Sequence, residues 1–199
     1  MLISNKSKQT IDSCRFCWMC RHVCPIGNAT GRERNNARAR ALSLSMVERG
    51  MELTEDIIDN VYECALCGAC TRDCATGWDP VAFTQEVRLE AALNGLLPSY
   101  INKLVDNLES TGNPYGKTEI NGALQDEIKG LPAKADILFF LGADARYIAF
   151  RQAVNAIRLL KKSEVGFTVL VDEPDSGWAA DMLLGKAEET RQTIVPQRA

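Results

Sequence analysis

The eight cysteines of this 199-residue chain fall into two groups: Cys14, Cys17, Cys20 and Cys24, then Cys64, Cys67, Cys70 and Cys74. Each group reads C-x2-C-x2-C-x3-C. Thiolates gathered this densely are ligands for soft metal centres. Three cysteines two residues apart can wrap a tight helical turn around one corner of an iron–sulfur cubane. The fourth leaves in a different direction and reaches a second cluster. That geometry assigns one [4Fe-4S] cluster to Cys14, Cys17, Cys20 and Cys74, and another to Cys64, Cys67, Cys70 and Cys24. Crossing the fourth ligands ties the two halves of the domain together through metal. Folding and cluster assembly are then coupled, and the apo form is expected to be poorly folded.

Zinc is the competing reading, since paired C-x2-C knuckles supply four ligands to one tetrahedral ion. Such knuckles do not usually need a third cysteine two residues on and a fourth three beyond that, yet both groups have them. Disulfides would also use an even count, but a chain with 46% hydrophobic residues does not need staples to hold a core. The spacing is that of the bacterial ferredoxin pattern. Pro25 follows Cys24 as it does there, limiting backbone movement near the cluster; the second group has Ala75 in its place. Gly68 lies inside the second loop, where a missing Cβ lets backbone approach inorganic sulfide, although a plain tight turn explains a glycine equally well. His22, the one histidine, lies between cysteine sets that are already complete, which gives it a supporting or surface role. Phe16 and Trp18 alternate with the ligands and are placed to shield a cluster from water; ordinary core packing would look the same.

The elements that must hold these loops are mostly helical. Residues 31–50 are rich in Ala, Arg and Leu and stop at Gly50. Thr54 can cap a short helix whose first turn carries Glu55 and Asp56, complementing the helix dipole. Asp79-Pro80 reads as an N-cap followed by proline at the first helical position. It starts a helix running to about Asn94, with Val81, Val87, Leu89, Ala92 and Leu93 on its apolar face. Gly95 and Pro98 break it, and another helix follows from about Ser99 to Leu108. Residues 111–118, TGNPYGKT, form a turn cluster that suits a domain boundary. Beyond it, residues 135–143 read as a short buried strand. Residues 147–162 read as a helix with Val154, Ile157 and Leu160 on one stripe, and 167–172 as a second strand parallel to the first. A last helix begins near Asp175 and carries Trp178, Met182 and Leu183.

Charge excludes some functions. With 23 basic and 26 acidic residues the formal net charge is −3, which gives no reason to expect nucleic acid or a membrane surface as partner. No apolar run approaches the roughly 20 residues of a membrane span, and no secretory signal is visible, so a cytoplasmic location is expected. Locally, Arg32, Arg34, Arg38 and Arg40 face only Glu33, while residues 52–63 are acidic. Two solvated faces that partly neutralise each other account for this, as does a docking patch for an acidic rim or a flavin phosphate. No G-x-G-x-x-G follows a strand, and the remaining acids form no catalytic constellation, so the chain is read as a non-catalytic subunit.

The two cysteine motifs with a helical insert, then GNPYG, then a strand–helix–strand unit, resemble a known superfamily. It contains the iron–sulfur subunits of anaerobic glycerol-3-phosphate dehydrogenase, glycolate oxidase and heterodisulfide reductase. The resemblance is strong over about residues 10–116 and weaker to about 190. It implies a mainly α chain: an α-helical di-cluster ferredoxin domain at 1–95, a helical linker at 96–116, and a small partial α/β (βαβ) domain at 117–199. That last part resembles a CCG domain stripped of its cysteines. Leu141-Gly142-Ala143 stands where the family has strand–Gly–Cys, and Asp175-Ser176-Gly177 where it has Cys-Cys-Gly. The resemblance further implies a flavin-dependent dehydrogenase partner carrying FAD or FMN, other redox subunits, and electron relay through two clusters. A scaffold whose clusters only stabilise the fold is the alternative.

Overall fold

The computed structural model describes residues 4–185. The fold is mainly α, with helices α1 Asn5–Ile11, α2 Met19–His22, α3 Pro25–Thr30, α4 Ala37–Glu48, α5 Glu55–Tyr62, α6 Ala69–Arg72, α7 Pro80–Leu93, α8 Ser99–Thr111 and α9 Gly122–Lys129. Then come β1 Ile137–Leu138, α10 Gly142–Tyr147, α11 Phe150–Lys162, β2 Phe167–Thr168 and α12 Trp178–Leu184. Among the described residues, 4–102 with 180–185 make one compact unit and 103–179 a second. The end of the α/β domain expected over 117–199, residues 186–199, lies outside the described residues. No described helix is long and apolar enough to cross a membrane.

In the first unit the local signals act largely as their chemistry dictates. Asp79 caps α7, its carboxylate accepting from the N–H groups of Val81 and Ala82 at 3.1 Å, with Pro80 in the first turn. These donors would otherwise be orphans of the helix start. Asn36 caps α4 in the same way through Ala39 N–H, and Gly50 ends the segment at φ 102°. Thr54 stands at the N-cap of α5, but its hydroxyl makes no capping bond; Glu55 and Asp56 in the first turn supply the favourable charge instead.

The apolar face expected for α7 is corrected. Its buried side chains are Pro80, Phe83, Thr84, Val87, Arg88 and Ala91, whereas Leu93 is 65% exposed. The stripe runs at i, i+4, i+8 from Phe83, and polar Thr84 and Arg88 lie within it, which hides the period from a reading by hydropathy. Phe83 and Val87 join Ile11, Ala41, Leu44, Val61 and Trp78 in one core, against which Cys14 and Cys74 pack. A smaller core gathers Cys24, Ala37 and Cys70, with Cys20, Val23, Ile26 and Val81 around them.

The second unit contains the strand–helix–strand arrangement, with β1 and β2 parallel and Ile137 opposite Phe167, Leu138 opposite Thr168. Its core is Leu124, Ile128, Ala153, Val154, Ile157, Phe167 and Val169. Two corrections apply. The ladder is two residues long on each strand, and Ile137 and Leu138 are half exposed rather than buried, because a two-stranded sheet leaves outer faces without cover. The helix expected over 147–162 is α11 from Phe150, preceded by the separate α10.

Candidate metal centre

The two cysteine loops have nearly the same backbone. In the first, Phe16 and Trp18 take left-handed conformations at φ 52° and 73°; in the second, Leu66 and Gly68 do so at 51° and 77°. The N–H of Phe16 points to Cys14 Sγ at 3.4 Å, and that of Leu66 to Cys64 Sγ at 3.4 Å. Each loop then enters a four-residue helix, α2 or α6, carrying Cys20 or Cys70, and these two helices pack against each other. A left-handed turn costs a residue with a side chain about 1–2 kcal/mol, and Phe16, Trp18 and Leu66 all bear it. The glycine at 68 answers to this conformation, since a Cβ there would meet no protein atom within 4 Å.

Beyond the third cysteine the loops diverge. Cys24 takes an extended backbone before Pro25 and opens α3, while Cys74 leads into a turn closed by Gly77 N–H on its carbonyl. The consequence is two hollows. Cys14, Cys17, Cys20 and Cys74 line the first, with Phe16, Trp18, Arg38 and Trp78, and Cys70 in its wall. Cys24, Cys64, Cys67 and Cys70 line the second, with Ala37, Arg40 and Val81. The fourth cysteine of each motif thus stands among the first three of the other, and Cys70 borders both hollows. Empty space amounts to about 410 Å³ in the first and 290 Å³ in the second, part of it open to solvent. A tetrahedral zinc would draw four sulfurs to about 2.3 Å from one point. Among the described residues no group of three or more His, Cys, Asp or Glu is disposed around a single ion.

The thiols differ in how readily they ionise. Burial, followed by the nearby Cys14 thiol, pushes Cys20 up to about 11. Burial, followed by Cys64 and Cys20, pushes Cys70 up to about 12. Neutral thiols are favoured there until iron takes up the charge. Burial works in the same direction at Cys74, but hydrogen bonds from the Thr76 hydroxyl and the N–H groups of Thr76, Trp78 and Gly77 outweigh it and hold that thiol below its ordinary value.

Four more residues complete the surroundings; sequence reasoning did not single out Arg88 or Trp78, and it read Arg38 and Arg40 only as part of an exposed basic segment, from which Arg40 is corrected to a buried position. Arg40 is 4% exposed and donates to Asn35 O at 3.1 Å and Cys24 Sγ at 3.5 Å. Arg88 is buried and donates to the carbonyls of Val61 and Cys64 at 2.9 and 2.7 Å. Trp78 Nε1 and Arg38 Nε, on residues lining the first hollow, are buried without an acceptor among the described residues. Such orphan donors are what the sulfurs of a cluster would satisfy, so the residues present fit the group. The signal for Arg40 and Arg88 was there: each occupies a core position of its helix stripe, beside Ala37, Ala41 and Leu44, or Thr84 and Ala91.

The remaining candidates lie around this core. Trp18 is 45% exposed and stacks under Arg38, whose guanidinium carbon is 3.5 Å from the ring centroid. Glu33 pairs with Arg21 and Arg38, and Glu63 with Arg34, so part of the basic segment is neutralised. His22 is exposed and lines neither hollow.

Residues 10–78 match the family model described as the 4Fe-4S dicluster domain, which makes iron–sulfur binding the chemistry of this region. The chain is similar to a subunit of the dihydromethanophenazine:CoB–CoM heterodisulfide reductase of Methanosarcina mazei, 24% identical over 94% of this chain and 49% of that protein. It is similar also to the corresponding reductase subunit of Methanosarcina barkeri, 30% identical over 60% of this chain and 30% of that protein. For the one from Methanosarcina acetivorans the figures are 24%, 82% and 44%. The chain spans about half the length of these relatives or less.

Proposed function

We propose that this chain is an electron-transfer subunit of a multi-subunit oxidoreductase. It holds one [4Fe-4S] cluster through Cys14, Cys17, Cys20 and Cys74 and a second through Cys64, Cys67, Cys70 and Cys24. The observation that carries the reading is the pair of cysteine-lined hollows with Cys70 as common wall. When bound, such clusters take up and release single electrons. The chain's own residues bind them, exclude water and set the surrounding field. Phe16, Trp18 and Trp78 wall the first hollow and Ile26, Ala37 and Val81 the second. Groups seated in adjoining hollows are neighbours, which suits a reducing equivalent passing from one to the other.

The relatives are named as subunits of a reductase, and this supports a redox assembly around the chain. A flavin-dependent dehydrogenase subunit carrying FAD or FMN is the partner we favour at one end. Residues 103–179, the second unit, contain no cysteine, so we assign no disulfide chemistry to that unit. The test is an anaerobic redox titration of the native assembly followed by electron paramagnetic resonance. Reduction of the clusters when the assembly receives its electron donor supports the relay. Clusters that stay in one state through turnover would leave them a structural role and end this reading.

A further inference from the structure

Arg40 is a permanently charged guanidinium enclosed by protein beside the second hollow. Among the described residues no carboxylate pairs with it; its partners are the carbonyl oxygen of Asn35 and the sulfur of Cys24. A second buried cation, Arg88, is near enough that the two repel, and it too rests on carbonyls, one of them that of Cys64. Two unpaired cations in one protein interior are costly unless an anion sits between or beside them. By contrast, Arg38 at the first hollow is already paired with Glu33. The side of the second hollow is therefore the one with uncompensated positive charge.

Building on the cluster assignment proposed above, we infer that Arg40 is the built-in counter-cation of the cluster held by Cys24, Cys64, Cys67 and Cys70, and sets its reduction potential. A cluster bound by four thiolates is an anion, and its reduced form carries one more negative charge than its oxidised form. A fixed cation hydrogen-bonded to a ligand sulfur stabilises the reduced form more, and so raises the potential. Arg40 acts through Cys24 as a positioning and tuning residue. The neighbouring cluster, lacking this contact, should feel the charge only weakly.

The experiment uses the full chain, prepared anaerobically as wild type, Arg40→Gln and Arg40→Lys. Iron and acid-labile sulfide are assayed first, then both midpoints by titration with paramagnetic resonance detection. In Arg40→Gln one midpoint should fall by the equivalent of at least tenfold in the reduction equilibrium, about 59 mV for one electron. The other midpoint should stay in place, and Arg40→Lys should recover most of the shift. Two unmoved midpoints in an iron-replete Arg40→Gln chain overturn the inference. Should that variant fail to assemble, wild-type chain labelled with 15N-arginine decides. A guanidinium nitrogen coupled to a reduced cluster in the wild type and lost in equally labelled Arg40→Lys supports the inference, and no coupling, or coupling unchanged in Arg40→Lys, overturns it. A wild-type chain without iron would overturn the cluster assignment itself, an outcome distinct from either.

Discussion

Cys74 is the residue at which local sequence and spatial grouping disagree. It belongs to the second motif but stands with Cys14, Cys17 and Cys20 and is held there by hydrogen bonds from Thr76, Gly77 and Trp78. Cys74→Ser should therefore cost the cluster served by the first motif, cutting iron to about half and removing one of two resonance signals. Loss of the cluster served by Cys64, Cys67 and Cys70 instead would contradict the crossed assignment. The raised thiols give a second expectation. Cys20 and Cys70 ionise at about 11 and about 12 in the folded chain, above the roughly 8.5 of an unfolded cysteine. A group whose folded value is raised contributes stability that is intact below the unfolded value and is lost as pH rises towards the folded one. Whatever helical content the metal-free chain retains should then be lost between about pH 8.5 and 12, read by circular dichroism, while the iron-loaded chain keeps its content over that range. The eight cysteines were legible because ligand spacing is written along the chain. The burial of Arg40 and Arg88 was written only in their helical register, and that of Trp78 not at all, because a buried polar side chain is defined by what folds over it and hydropathy scores arginine as surface.

Helix boundaries were legible where a capping group writes them. Asp79-Pro80 and Gly50 mark their ends by chemistry that does not depend on the rest of the fold. The inward face of α7 was not, because Thr84 and Arg88 are buried by satisfying carbonyls, Thr84 on Pro80 O and Arg88 across on α5 and Cys64. The strands were readable as a parallel pair but not as a two-residue ladder with β1 half exposed, since how much covers a sheet depends on strands elsewhere in space. Asp79 gives the element-scale prediction. Its carboxylate caps α7 and accepts the Thr71 hydroxyl at 2.8 Å, joining α7 to the helix that carries Cys70. Asp79→Ala should destabilise the chain by about 2 kcal/mol, the upper end for an N-cap, in anaerobic urea unfolding. Asp79→Asn should keep most of that. An unchanged midpoint in the alanine variant would show that the cap does not hold this junction.

At the scale of the molecule, residues 4–102 assemble the site from short helices, and two cysteine-lined hollows lie between the loops. Two four-iron clusters must occupy these hollows for the proposed relay to exist. The most direct measurement is iron, zinc and acid-labile sulfide analysis of the anaerobically isolated chain, with Mössbauer and paramagnetic resonance spectra of its reduced form. About eight iron and about eight sulfide per chain are expected, with negligible zinc and two magnetically interacting cluster signals. A colourless chain, stoichiometric zinc, or about four iron in a single cluster would contradict the relay.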